Sequence, residues 1–111
     1  MQWTYEVEGN RLTVRIAGEI DHHAASDLKA ELDKICRRER IKHIILDLSM
    51  VDFMDSAGIG LIISRYRYTS GQGGKTVACG VGETLRRILS LSGLGRILPV
   101  YSTQEEAKQS I

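Results

Sequence analysis

The residues of this 111-residue chain best placed to do chemistry are Asp55 and Ser56. They lie in the stretch Met50-Val51-Asp52-Phe53-Met54-Asp55-Ser56-Ala57-Gly58-Ile59-Gly60, which joins an apolar run to a segment of helical spacing. A serine at that junction has three uses. It can cap the helix, because Asp and Ser are the commonest residues to satisfy the orphan N–H groups of a first turn. It can accept a phosphoryl group, since a phosphate there meets N–H donors and the positive end of the helix dipole. The phosphate would add about two negative charges to a surface already acidic through Asp21, Asp52 and Asp55. Or it can be a nucleophile, with His22 or His23 as base and Asp21 to orient it. The nucleophile-elbow pattern G-x-S-x-G is missing around Ser56, which disfavours the last use. Capping alone leaves Gly58 and Gly60 unexplained. Each weakens a helix by about 1 kcal/mol relative to Ala, and both are expected to keep the first turn open to a partner.

Other candidates are weaker. Gly80-Val81-Gly82 and Gly71-Gln72-Gly73-Gly74 lack the Lys-Ser/Thr ending of a P-loop and the full dinucleotide fingerprint, so they read as turns. Cys36 and Cys79 sit far apart in apolar stretches and read as buried thiols. No CxxC or HExxH occurs, so no metal and no cofactor is expected. Tyr66 falls on the stripe expected to be buried, which leaves Tyr68 as the surface aromatic. Arg37-Arg38-Glu39-Arg40 is broken by an acid and sits where a helix should end, complementing its dipole.

The elements that must position Asp55 and Ser56 follow from periodicity. Trp3–Val7 and Leu12–Ile16 alternate around Gly9-Asn10, predicting an antiparallel hairpin ending near Gly18. Asp21 is a good N-cap for a helix whose inward residues are Ala25, Leu28, Leu32, Ile35 and Cys36, with Asp33 on the polar face. Ile44–Leu48 reads as a central strand covered on both faces. A second helix runs from about Gly58, with Ile59, Ile62, Ile63 and Tyr66 as its stripe. Then come a strand at Thr76–Cys79, a helix at Glu83–Ser92 stopped by Gly93, an edge strand at Ile97–Tyr101, and a short helix after the Thr103–Glu106 capping box. Strands separated by helices imply a mostly parallel sheet. The class is α/β, one domain over residues 1–111, and the Asp55-Ser56 junction falls on the carboxyl edge of the sheet, where such folds place their sites.

Composition removes several functions. Fifteen Lys/Arg against 14 Asp/Glu give +1, so no basic field favours nucleic acid or an anionic membrane. No apolar run approaches the roughly 20 residues of a membrane span. The first residues lack a secretory pattern, and the cytoplasm is the expected compartment.

Gly18-Glu19-Ile20-Asp21-His22-His23, followed by Phe53-Met54-Asp55-Ser56-Ala57-Gly58-Ile59-Gly60-Leu61, resembles the STAS domain of bacterial anti-sigma factor antagonists. The likeness is to the sporulation type in particular, while the general-stress antagonists of sigma B share the domain. The resemblance implies a STAS-like domain with an N-terminal hairpin, a mixed, mostly parallel sheet and about four helices. It also implies a non-enzymatic regulator. Unphosphorylated, such a protein binds an anti-sigma factor that is also a serine kinase, and so frees the sigma factor. Phosphorylation of the motif serine, Ser56 here, ends the interaction, and a phosphoserine phosphatase resets it. Ala57 stands where some members have a second serine. The partner-binding surface carried over is Asp21, His22, Asp55, Ser56, Ala57, Gly58, Gly60 and Leu61. The alternative of another class is a small-molecule-binding or catalytic module using Asp21, His22 and Ser56.

Overall fold

Apolar alternation over the first 20 residues gives a hairpin, β1 (Gln2–Glu8) and β2 (Arg11–Ile20), in the computed structural model, which describes residues 1–111. Gly9 turns it with a φ of 61°, a conformation open to glycine at no steric cost. There follow α1 (His22–Arg38), β3 (His43–Met54), α2 (Ser56–Ser70), β4 (Thr76–Cys79), α3 (Glu83–Leu91), a 3₁₀ turn at Leu94–Arg96, β5 (Val100–Tyr101) and α4 (Gln104–Gln109). The five strands lie in the order β1-β2-β3-β4-β5. The β1–β2 pair is antiparallel and the other three are parallel. The α/β class, the hairpin and the four helices are as expected.

Successive residues of a strand face opposite ways, and β3 uses both faces. Ile44, Leu46 and Leu48 join Leu12, Val14, Leu28, Leu32, Ile62, Leu85 and Leu89 in the main core beneath α1, α2 and α3. Ile45 joins Val77, Cys79 and Ala107 in a smaller cluster under α4. Both cysteines are free and buried, and burial, aided by the nearby Asp47 carboxylate, pushes the Cys79 thiol up to about 11.

Four expectations need correction. β3 does not stop near Leu48 but runs to Met54. Its alternation is interrupted because β3 carries extra residues against β2 between the Arg15 and Ala17 pairings and again between Gly18 and Glu19. Such bulges reset which face a side chain takes. The last strand is two residues rather than five, since Leu94–Arg96 wind into a 3₁₀ turn before it. On α2 the buried stripe is Gly58, Leu61, Ile62, Arg65 and Thr69. Tyr66 is only half-buried, whereas the Tyr68 hydroxyl donates to the carbonyls of Cys36 and Ile41 at 3.1 and 3.2 Å. Finally, Asp33 is not simply solvated. It pairs with the guanidinium of Arg65, which is 2% exposed. A charge buried that deeply needs such a partner.

Candidate functional site at the paired helix starts

β2 and β3 are parallel, and Ile20 is opposite Met54, so the two strands end level. Each is followed immediately by an aspartate that caps the next helix. Asp21 Oδ1 accepts the Ala24 N–H at 2.9 Å. Asp55 Oδ1 accepts those of Ala57 and Gly58 at 2.9 and 3.2 Å. The Asp55 N–H donates to the Ile20 carbonyl at 3.3 Å, tying the two junctions together. The starts of α1 and α2 therefore stand side by side on the carboxyl edge of the sheet, and both positive dipole ends face the same surface.

The capping role falls to Asp55. Ser56 is the first residue of α2, exposed, and its hydroxyl is not the capping group. One detail of the expected phosphate site changes. The Ala57 and Gly58 N–H groups are held by the Asp55 carboxylate, and the Ile59 N–H by the Asp55 carbonyl at 3.1 Å. A phosphate on Ser56 would stand at the surface beside Asp55, not sunk among free donors. Its charge would face outward, with half-buried Asp55 before it in the chain and exposed Asp21 at the neighbouring junction.

The two glycines differ. A Cβ on Gly58 would lie 2.7 Å from Met54 Cβ and 3.0 Å from the Ile20 carbonyl oxygen. Gly58 is buried and lets α2 start close against the strand ends. The expectation that it keeps a partner surface open is corrected on that ground. A Cβ on Gly60 would meet nothing within 4 Å. Leu61 is 4% exposed, so it is floor and not projecting surface. His22 and Ala57 are exposed and half-buried respectively.

His22, Ala57, Gly60 and Leu61 are brought together in a groove of about 260 Å³ between α1 and α2, which Ser26 and Lys29 complete. Ser26 and Lys29 were not among the residues the motif suggested. Their signal was helical spacing, since 22, 26 and 29 lie on one face of α1. The catalytic arrangement lacks its orienter. The Asp21 carboxylate is engaged with the Ala24 N–H, and the His22 ring meets His23 edge-on at 5.7 Å.

A larger concavity of about 510 Å³ lies on the sheet face lined by Arg15, Asp47, Ser49 and Met50 and shares no residue with this groove. Burial would raise the pKa of Asp47, but hydrogen bonds from Gln104 and Ser49 outweigh it and hold the carboxyl below its ordinary range. That carboxylate is engaged within the fold. Chemistry and motif favour the groove beside Ser56 over the larger one.

The STAS domain family matches residues 2–107, and the chain belongs to that family. Within it, the chain is 37% identical over 109 residues to an anti-sigma F factor antagonist of Paenibacillus polymyxa, covering 96% of this chain and 93% of that one. It is 30% identical over 100 residues to the anti-sigma-B factor antagonist of Bacillus subtilis, covering 90% of each. The solved structure of the Bacillus cell fate determinant SpoIIAA in its phosphorylated form matches with a TM-score of 0.77 at 30% identity, over 98% of each chain. These three relatives, each matched over nine-tenths or more of both chains, include antagonists of both the sigma-F and the sigma-B type.

Proposed function

We propose that this protein is an anti-sigma factor antagonist of the sporulation type, one STAS domain over residues 1–111, which binds an anti-sigma factor with serine kinase activity and thereby releases the sigma factor. Phosphorylation of Ser56 switches it off. The observation that carries this reading is the position of Ser56: exposed, first in α2, relieved of capping by Asp55, and beside the start of α1. The chemistry is substrate chemistry. Ser56 Oγ attacks the γ-phosphorus of ATP held by the kinase, the bond to the β–γ bridging oxygen breaks, ADP leaves, and the hydroxyl proton passes to a base on the kinase. A phosphatase then adds water across the phosphoester, returning the serine and inorganic phosphate.

The new charge acts by repulsion at an interface, not by unfolding. It stands at a helix N-terminus, which tolerates anions, among carboxylates that a partner must already satisfy. The partners are proteins, with no direct role for nucleic acid or membrane, and the compartment is the cytoplasm. No helix is long and apolar enough to cross a membrane. The higher identity to an antagonist of the sigma-F type than to the sigma-B type, 37% against 30%, favours the sporulation branch over general stress.

The test is binding to the cognate anti-sigma kinase by calorimetry. Ser56→Ala is expected to bind like the unmodified protein. Ser56→Asp is expected to bind about ten- to a hundredfold more weakly, the usual scale for a like charge set into an interface. Equal binding by both variants would remove the switch. If His22→Ala alone abolished function in the absence of any kinase, the catalytic alternative would stand instead.

A further inference from the structure

Gly60 is a glycine that the fold does not require. It sits within α2, its φ is not in the left-handed region, and a Cβ there would meet nothing within 4 Å. Glycine inside a helix lowers stability relative to alanine, so the missing methyl group weakens the free protein without easing any internal contact. Gly58, two residues earlier, is the contrast, because Met54 and Ile20 leave it no room. A gap kept open on an exposed face points to close approach by something outside the chain.

Gly60 lies four residues after Ser56 and hence one turn along the same face of α2. The Ser56 hydroxyl and the gap at Gly60 thus lie on one face of α2, within reach of a single docked partner. The α1 wall of the same groove carries Lys29, 51% exposed, with its ammonium 3.0 Å from Asp33 Oδ2. The other Asp33 oxygen holds buried Arg65. Lys29 can therefore leave without stranding the Asp33 charge, and an exposed pair of this kind contributes little to stability. No carboxylate lines the groove, whereas Asp21 and Asp55 stand at the paired helix starts on the Ser56 end.

We propose that the groove between α1 and α2 receives an apolar side chain of the anti-sigma kinase, seated over Gly60, Ala57 and Leu61, next to a carboxylate that draws Lys29 away from Asp33. The acidic end around Ser56 would repel that carboxylate, so the groove also fixes which way round the partner docks. The inference rests on Ser56 being the kinase's acceptor.

The test measures steady-state phosphorylation of the full chain by the cognate kinase, together with thermal melting of each variant. Gly60→Ala should melt at a higher temperature, yet its KM should rise about tenfold with kcat at saturation unchanged. Lys29→Glu should raise KM by a similar factor or more, with Lys29→Met between it and the parent. A Gly60→Ala protein that melts higher but keeps the parent KM overturns the proposal, and so does one that melts lower. A parent-like KM for Lys29→Glu overturns the charge contact. If the parent chain is phosphorylated on Ser56 while the variants behave like it, only the groove fails. If the parent is neither bound nor phosphorylated, the functional reading fails and the groove with it.

Discussion

Asp55 and Ser56 are neighbours with separate jobs, and substitutions should separate them. Ser56 caps nothing, so Ser56→Ala should change stability by no more than about 0.5 kcal/mol in urea denaturation while removing the proposed phosphoacceptor. Gly58→Ala should instead cost about 1–3 kcal/mol, because its methyl group would press on Met54 Cβ and the Ile20 carbonyl. A Gly58→Ala protein as stable as the parent would contradict the close packing described here. The residues of the motif were legible in the sequence because a strand end followed by Asp-Ser is a local signal. The burial of Gly58 and Leu61 was not, since it depends on which side of α2 meets β2 and β3. Arg65 was invisible for another reason. A charged residue reads as surface, and only the approach of Asp33 from α1 makes its burial tolerable. Burial would raise the pKa of Asp33, yet hydrogen bonds from Arg65 and Lys29 prevail and lower it.

At the scale of elements, the site is two strand-to-helix junctions made level by the β2–β3 register. Asp55 holds two N–H groups of the first turn of α2, so Asp55→Ala should cost about 1 kcal/mol of stability and Asp55→Asn much less. Urea unfolding checks both. Equal losses from the two substitutions would mean that charge, not capping geometry, is what Asp55 supplies. Helices were the more legible elements, because the stripe of α1 and the caps Asp21 and Thr103 are written in local residue types. β3 was legible only as far as Leu48. Beyond it two bulges break the alternation that identifies a strand, although its pairing with β2 continues to Met54. β5 is shorter than its apolar pattern suggests because Ile97 and Leu98 belong to the turn before it.

The whole molecule is nearly neutral, and one phosphate would take its net charge from +1 to about −1. Acid should destabilise it in two stages. His43 Nδ1 accepts the Lys75 N–H at 3.1 Å, and burial with nearby Lys42, Lys75 and Arg11 lowers its pKa below the ordinary 6.5. The folded state thus favours the neutral ring, and that contribution is complete above pH about 6.5 and lost as pH falls through the folded value. Asp33 and Asp47, both held below 3.8, contribute fully above that pH and lose their share as pH falls further. Urea midpoints measured against pH should show both stages, and His43→Phe should abolish the upper one. The α/β class and the order of elements were legible because each element has its own period. The partnership of α1 with α2 was not, since it joins residues about 30 positions apart. The central proposal, that Ser56 is the switch, is tested most directly by incubating the protein with the anti-sigma kinase proposed as its partner and ATP and mapping the product by peptide mass spectrometry. A single phosphate on Ser56, absent from Ser56→Ala, is the expected result; a phosphate on any other residue, or none, would contradict it.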